Sequence, residues 1–361
     1  MYCDFHFSTS TKYKNDLVLA ILSEIKHRAS ELKNKKLKSV YFGGGTPSLL
    51  NQNELDQIFE CIYSYFEIEN DAEITLEANP DDIFEENIKV WKKSPINRLS
   101  VGIQSFFEED LIWMNRAHNA QMAENSIKLA QDSGFHNISG DLIFAYPLLS
   151  DQKWEFNLNK FNDLNINHLS TYSMTLEPKT AYALRVNKGL DLAPPETKSE
   201  IQFKFLMDFL EANNWDHYEI SNSCKNNQIA SHNSSYWKGE DYLGIGPSAH
   251  SFIHGIRSSN IANNSLYISG LKGDNEYRNY EELRIYEQFN DFILTGLRTK
   301  WGINTSKIHS TFGENFLKTT LRNSEKWINS GHLYFENEIL TLSKKGKLLA
   351  DHISSDLFIL E

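Results

Sequence analysis

The stretch YFGGGTPS, residues 41–48, places three consecutive glycines directly after an apolar run that is typical of a β-strand. Glycine has no Cβ atom, so backbone N–H and C=O groups in such a turn can lie directly against a ligand. Pro47 then restricts the backbone where the chain leaves the turn. The segment therefore predicts a strand that ends in a ligand-binding turn.

Strand and helix patterns alternate on both sides of this turn. Short apolar or β-branched runs predict strands at residues 38–44, 72–79, 97–104, 137–144 and 167–175. Helical patterns occupy residues 15–32, 54–65, 85–92, 108–115 and 121–133. Strands that alternate with helices predict parallel βα units and an α/β fold.

Polar residues recur where these strands end. Glu77 lies in ITLEANP, Gln104 in LSVGIQS and Asp141 in DLIFAYP, while Arg116 follows in NRAH. In α/β folds, ligands bind at the carboxyl ends of the parallel strands. We therefore expect one binding site there. Its members, called the carboxyl-edge set below, are Gly44, Gly45, Glu77, Gln104, Arg116 and Asp141.

The remainder of the chain has a different pattern. Residues 216–280 are rich in predicted loops and aromatic side chains. From residue 281 to residue 361, helices are followed by a strand pair and a last helix, which predicts a small winged-helix-like α+β domain. We therefore predict three parts, residues 1–215, 216–280 and 281–361.

Composition restricts the class of protein. The 361 residues are 40% hydrophobic and 12% aromatic, enough for a packed core. The net charge of −12 argues against nucleic-acid partners and anionic membranes. No run is long and apolar enough for stable membrane insertion, and three widely spaced cysteines suit a reducing compartment. We expect a cytoplasmic protein.

Several motifs resemble one known family. GGGTP, EANP, GIQS, RAH and DLIFAYP are similar to segments of the oxygen-independent coproporphyrinogen III oxidase-like family of radical S-adenosylmethionine (SAM) proteins. HNSSYW at 232–237, YLGIGPSAHSF at 242–252, ILTGLRTKWGI at 293–303 and LTLSKKGKLLADHI at 340–353 resemble its heme chaperone branch, called HemW. The resemblance implies a partial (β/α)6 radical SAM barrel, here lacking its first strand, and a C-terminal HemN-like domain.

The family binds a [4Fe–4S] cluster through a CxxxCxxC motif. The segment YCDFHF at residues 2–7 matches the sequence around the last of these cysteines, so the resemblance makes Cys3 the third cluster ligand. The other two ligands would lie upstream of Met1. Either the chain start is set too late, or this is a cluster-free member of the family. Cys61 and Cys224 are expected to be a buried apolar residue and a loop thiol rather than metal ligands.

The resemblance also gives each member of the carboxyl-edge set a role in binding SAM. Gly44 and Gly45 would contact its methionine moiety. Glu77 would accept hydrogen bonds from its ammonium, and Arg116 would pair with its carboxylate. Gln104 and Asp141 would hold its ribose hydroxyls. The alternative is that all six serve as ordinary turn and capping residues.

His232 is the candidate heme ligand. HNSSYW resembles the HNxxYW signature of the chaperone branch, and a neutral imidazole is a good axial ligand for heme iron. Tyr236 and Trp237 could pack on a porphyrin face. The alternative is a histidine that only satisfies backbone groups in a buried loop.

Three functions follow from these observations. The first is a heme chaperone that binds heme, a [4Fe–4S] cluster and SAM, and passes heme to an acceptor protein. The second is oxygen-independent coproporphyrinogen III oxidase in porphyrin biosynthesis. Phe5 argues against it, because the oxidase carries a fourth cysteine at that place. The third is a cluster-free module that binds heme or another porphyrin.

Overall fold

The computed structural model describes residues 2, 6, 11–273 and 275–360. The strands are β1 Lys36–Phe42, β2 Glu67–Ala78, β3 Arg98–Gln104, β4 Asn137–Phe144, β5 His168–Ser173, β6 Asp216–Glu219, β7 Asn222–Cys224, β8 His250–Ile253, β9 Ile256–Asn260, β10 Arg278–Glu282, β11 Ile303–Asn304, β12 Leu333–Glu336 and β13 Ile339–Leu342. The helices are α1 Lys14–Arg28, α2 Gln52–Tyr65, α3 Glu85–Lys93, α4 Glu108–Trp113, α5 Ala120–Asp132, α6 Asp151–Asp163, α7 Ala181–Asn187, α8 Glu196–Ala212, α9 Ser231–Trp237, α10 Asn264–Leu271, α11 Ile285–Leu297, α12 Thr305–Phe312, α13 Glu314–Asn329, α14 Lys344–Lys347 and α15 Ala350–Leu357.

A curled seven-stranded sheet forms the centre of the N-terminal part. Its strand order is β1-β2-β3-β4-β5-β7-β6. Neighbours from β1 to β5 pair in parallel, whereas β7 pairs antiparallel with both β5 and β6. The predicted α/β fold with a partial barrel is confirmed. In the described part of the chain, no further strand pairs with the outer edge of β1.

The strand sequences explain how the helices pack on this sheet. Leu99, Val101 and Ile103 in β3 are completely buried, as expected for a parallel strand between layers. The helices cover the sheet with apolar stripes, and in α2 this stripe includes Leu55 and Phe59. Apolar side chains of the helices and of the strands therefore pack together in one continuous core.

Residues 216–280 contain regular elements in addition to loops. Strands β6 and β7 complete the large sheet, α9 carries the HNSSYW segment, and β8, β9 and β10 form a separate antiparallel sheet. Glu24 of α1, which is completely buried, holds this segment by accepting hydrogen bonds from Gly246 N–H and from Asn260.

The C-terminal part packs its helices around a small sheet with the order β11-β13-β12. Phe289, Ile293, Leu340 and Ile353 are among the buried residues of its own apolar core. This confirms the predicted small α+β unit, while the three domain boundaries remain predictions. Across residues 2, 6, 11–273 and 275–360, the structure has no helix that is both long and apolar enough to span a membrane.

Candidate functional site

The glycine turn after β1 is open on one side and tightly packed on the other. Gly44 and Gly45 have φ values of 69° and 47°, in the left-handed region that favours glycine. A Cβ atom on either residue would meet no atom within 4 Å, so both face open space. A Cβ on Gly43, in contrast, would lie 2.5 Å from a ring carbon of Tyr41. The turn therefore presents bare backbone on its open side.

Glu77, near the end of β2, closes the packed side of this turn. Its Oε1 accepts a hydrogen bond from the Tyr41 hydroxyl at 2.7 Å, and its Oε2 accepts one from Gly44 N–H at 3.0 Å. Burial raises the pKa of the Glu77 carboxyl, although both hydrogen bonds oppose this shift. A buried carboxylate with free lone pairs next to a bare turn suits a ligand ammonium group.

Arg116 and Gln104 converge over Gly102 of β3. A Cβ atom on Gly102 would lie 2.8 Å from Gln104 Nε2 and 3.1 Å from Arg116 Nη2. Arg116 Nη2 also donates to the Gly102 carbonyl at 3.2 Å and to Asn79 Oδ1 at 2.7 Å. Asn79 comes directly after β2. Its side chain therefore orients the Arg116 guanidinium, which lies against Gly102 of the neighbouring strand β3.

Gln104 itself has a strained backbone, with a φ of 68°. The following residue, Ser105, is completely buried. Its Oγ accepts from Asn157 Nδ2 at 3.2 Å and donates to Asp110 Oδ2 at 3.1 Å. The buried network behind the strand holds Gln104 in a conformation that it would otherwise avoid.

Asp141 lies within β4, beside Gln104's strand. Burial raises the pKa of its carboxyl to about 7, and the nearby Glu77 carboxylate raises it further, while Arg98 and Arg116 oppose the shift. Near neutral pH this carboxyl is therefore partly protonated. It can accept a hydrogen bond from a ligand hydroxyl when it is ionised and donate one when it is protonated.

Ala145 directly follows β4. Its φ is 62°, in the region that favours glycine, and its side chain is completely buried. Its N–H donates to Gln202 Oε1 at 2.9 Å, which holds the turn in place. The backbone of Ala145 is therefore strained where the chain leaves β4.

His232 lies on α9 and packs against the same strand that leads into the glycine turn. Its ring stacks on Tyr41 with a centroid distance of 4.8 Å and an interplanar angle of 15°. Nδ1 lies 2.8 Å from Ser39 Oγ, and Nε2 lies 2.8 Å from the Tyr236 hydroxyl. Burial lowers the pKa of this imidazole to about 4, so the ring is neutral at pH 7.

Glu73 fixes the start of the helix that carries His232. Its two carboxylate oxygens accept from the backbone N–H groups of Ser231 and His232, each at 2.9 Å. Because Glu73 and Glu77 both lie on β2 and are four residues apart, they share one face of that strand. Strand β2 thus holds both the glycine turn and the histidine helix.

The two aromatic residues after His232 differ in their surroundings. Tyr236 is partly exposed, and its hydroxyl is directed to His232. Trp237 instead packs beneath the Arg298 guanidinium, with 5.3 Å from the guanidinium carbon to the ring centroid. Of the two predicted porphyrin contacts, Tyr236 is therefore the better placed.

The carboxyl-edge set fits a SAM-like ligand, since a bare turn, a buried acid, an oriented guanidinium and a protonatable carboxyl meet at one sheet edge. The described part of the chain contains no set of ligands for a [4Fe–4S] cluster. No three His, Cys, Asp or Glu side chains there lie close enough together to hold a metal ion. Cys3 lies outside the described residues.

Cys61 and Cys224 have the surroundings of structural thiols. Cys61 Sγ donates to the Leu22 carbonyl on the outer helices, and burial raises its pKa. Cys224 is completely buried in β7, rather than in the predicted loop, and burial raises its pKa to about 11. Both thiols are therefore poor sources of thiolate ligands.

The remaining histidines of the motifs have local contacts. His118 is buried with Nε2 3.1 Å from the Ile103 carbonyl, and His6 Nε2 lies 2.7 Å from Asn264 Oδ1. His250 is exposed at the start of β8.

Four residues with clear roles in this geometry were not predicted from the sequence: Ser39, Tyr41, Glu73 and Asn79. Asn79 lies in the EANP segment, two residues after Glu77, so its position at a strand end was a usable signal. The other three are recognised only by partners that are distant in the sequence.

Comparisons with known proteins identify the family of the chain. Residues 1–160 match the model of the Radical SAM superfamily, and residues 287–349 match the HemN C-terminal domain. The heme chaperone HemW of Lactococcus lactis subsp. lactis (strain IL1403) is 32% identical over 98% of this chain and 92% of its own. The heme chaperone HemW of Bacillus subtilis (strain 168) is 30% identical over 98% and 94%.

A solved structure supports the same fold. Coproporphyrinogen III oxidase (HemN) from Escherichia coli, a radical SAM enzyme, superimposes with a TM-score of 0.84 over 99% of this chain and 86% of its own. Its sequence identity to this chain is 21%, so this likeness concerns the fold. Together with the HemW relatives, the matches settle the family. The chain belongs to the HemW family of the radical SAM superfamily.

Proposed function

We propose that this protein is a heme chaperone that takes heme as cargo through His232 and binds SAM at the carboxyl-edge set. The observation that carries the proposal is the position of His232, whose ring stacks on Tyr41 beside the glycine turn. HemW relatives at about 30% identity carry the name heme chaperone, which supports heme as the cargo.

The histidine is prepared for iron by its hydrogen bonds. In the tautomer in which Nδ1 donates to Ser39 Oγ, the Nε2 lone pair accepts the Tyr236 hydroxyl. Heme iron would take this same lone pair, while Ser39 would keep the ring oriented. No proton must leave the ring first, because burial already keeps the imidazole neutral.

SAM would be bound by contacts that this chain already orients. Glu77 would hold the ammonium, and Arg116, aimed by Asn79, would hold the carboxylate. Gln104 and Asp141 would meet the ribose hydroxyls. When a cluster is present, SAM supplies radical chemistry, and Cys3 remains the predicted cluster ligand of this chain. The cytoplasmic location and the heme acceptor protein also remain predictions.

The alternative function, coproporphyrinogen III oxidase, has weaker support. The likeness to HemN concerns the fold alone, and no feature of the carboxyl-edge set favours decarboxylation over binding. Porphyrin binding without SAM, the other alternative, would leave the oriented Arg116 and Glu77 without a partner ligand.

Titration with hemin tests the proposal. His232→Ala should weaken hemin binding at least tenfold and shift the Soret band, because it removes the axial ligand. His136→Ala is the matched control, since His136 is exposed at the amino end of β4. An unchanged spectrum in His232→Ala would remove heme ligation by this residue.

A further inference from the structure

We infer that Tyr41 is a positioning residue that links the acid of the SAM site to the heme ligand. The inference rests on the proposed function of His232. It assigns to Tyr41 a role that the motifs alone do not indicate, since tyrosine in a strand is usually a packing residue.

Tyr41 contacts both sites through different parts of its side chain. The hydroxyl donates to Glu77 Oε1 at 2.7 Å, and the ring stacks on the His232 imidazole at 4.8 Å. The tyrosine has one polar side-chain atom, so the Glu77 carboxylate anchors the far end of the ring. The direction in which the tyrosine side chain extends across the imidazole is therefore set by the acid.

Gly43 makes this arrangement rigid. A Cβ atom at residue 43 would lie 2.5 Å from a Tyr41 ring carbon and 2.9 Å from Glu77 Oε1. The bare backbone of Gly43 thus allows the tyrosine and the acid to meet directly beneath the turn. Any larger residue would separate them.

The imidazole depends on this ring because its remaining contacts lie at its edges. Ser39 Oγ and the Tyr236 hydroxyl contact its two nitrogens, and Tyr41 covers one of its faces. When iron takes Nε2, the Tyr236 contact is lost. The ring orientation then depends on Ser39 and Tyr41. By linkage, a ligand that changes the Glu77–Tyr41 hydrogen bond must also change heme affinity.

A double-mutant cycle tests this role. Hemin is titrated into the wild type, Tyr41→Phe, Glu77→Met and the double variant, with affinity and Soret position as readouts. Tyr41→Phe keeps the stacking ring and removes only the anchored hydroxyl, so it should lower affinity about fivefold. Glu77→Met, which keeps the length of the side chain but has no oxygen to accept this hydrogen bond, should have a similar effect. The double variant should be no weaker than Tyr41→Phe alone, because both changes remove the same hydrogen bond.

Two controls separate the possible failures. Tyr63→Phe makes the same chemical change on an exposed face of α2 and should leave both readouts unchanged. If the two single effects multiply in the double variant, or if Tyr41→Phe has no effect, Tyr41 does not link the sites. If His232→Ala also leaves the hemin spectrum unchanged, the proposed heme site itself is wrong, whereas a His232 effect without coupling removes only the role of Tyr41.

Discussion

Asp141 shows how the surroundings of one residue decide its chemistry. An aspartate in water is ionised at neutral pH, but burial raises the pKa of this carboxyl to about 7. The folded protein therefore keeps a proton on Asp141 over a pH range in which the unfolded chain releases it. The free energy of unfolding therefore falls as the pH rises through this range, because the unfolded chain releases the proton more readily than the folded protein does.

Asp141→Asn should therefore stabilise the protein at pH 8 but not at pH 4. The wild type loses stability between about pH 4 and about pH 7, the range between the unfolded and folded pKa values. The variant lacks this loss, so its advantage should grow over that range and then stay constant, at about 4 kcal/mol. Urea unfolding across this range measures the difference. A constant difference at all pH values would show that Asp141 is ionised in the folded state.

Tyr236 competes for the nitrogen that heme iron would take. Its hydroxyl lies 2.8 Å from His232 Nε2, so heme binding must break this contact. Tyr236→Phe removes the competitor and keeps the ring, and hemin affinity should rise about fivefold. Tyr242→Phe is the matched control, because its ring packs on Tyr236 at 4.6 Å. A lower affinity in Tyr236→Phe would show that the hydroxyl contributes to the heme complex.

The short helix α9 depends on an acid from the sheet. Its seven residues are too few for a stable helix in isolation, and Glu73 caps its first turn through two backbone N–H groups. Glu73→Ala should lower the free energy of unfolding by about 2 kcal/mol and loosen α9, because two backbone N–H groups lose their acceptor and Arg98 loses its ion-pair partner.

Hydrogen exchange measures this effect directly. The amides of residues 231–237 should exchange faster in Glu73→Ala than in the wild type, and hemin affinity should fall with them. Glu69→Ala, on the same strand, is the control. Equal protection of α9 in Glu73→Ala would mean that tertiary packing, rather than this cap, holds the helix.

The parallel strands could be predicted because each one carries its own signal. The run at residues 137–144 predicted β4 with its observed bounds, and the other four parallel strands were placed close to their observed positions. All the strands from β6 to β11 were missed. The sequences of β6, β7 and β10, which are DHYE, NSC and RNYEE, lack apolar alternation. Strand β7 forms because it pairs with the distant β5, and β6 in turn pairs with β7, which no local pattern shows.

The same difference separates the predicted and missed site residues. Glu77 and Gln104 were found because strand ends mark them, whereas Asp141, which lies within β4, was found through the motif DLIFAYP. Tyr41 and Glu73 lie inside strands, where the sequence predicts only packing. Their roles come from contacts with residues 232 and 231, on a helix about 160 to 190 positions away.

At the scale of the whole molecule, buried polar groups join distant segments. Glu24 is completely buried and accepts hydrogen bonds from Arg28, Asn260 and Gly246 N–H, among others. Near β6, the last strand of the large sheet, Ile220 N–H donates to the Arg298 carbonyl and Lys300 N–H donates to the Tyr218 carbonyl. The C-terminal part is therefore attached to the sheet edge through backbone hydrogen bonds.

Glu24→Ala should destabilise the protein by about 4 kcal/mol, because it leaves Arg28 and several donors buried without their acceptor. Glu85→Ala is the matched control, since Glu85 also pairs with a basic residue four positions later but is exposed. The control should cost less than about 1 kcal/mol. Urea unfolding followed by circular dichroism compares the two. Similar losses in both variants would contradict the role of the buried network.

The central claim is that His232 binds the heme cargo beside the carboxyl-edge set. The most direct test is diffraction from crystals of the hemin complex, collected at the iron absorption edge. We predict one strong anomalous peak bonded to His232 Nε2, with Ser39 still at Nδ1. An iron peak on another residue, with the His232 ring still between Ser39 and Tyr236, would contradict the account.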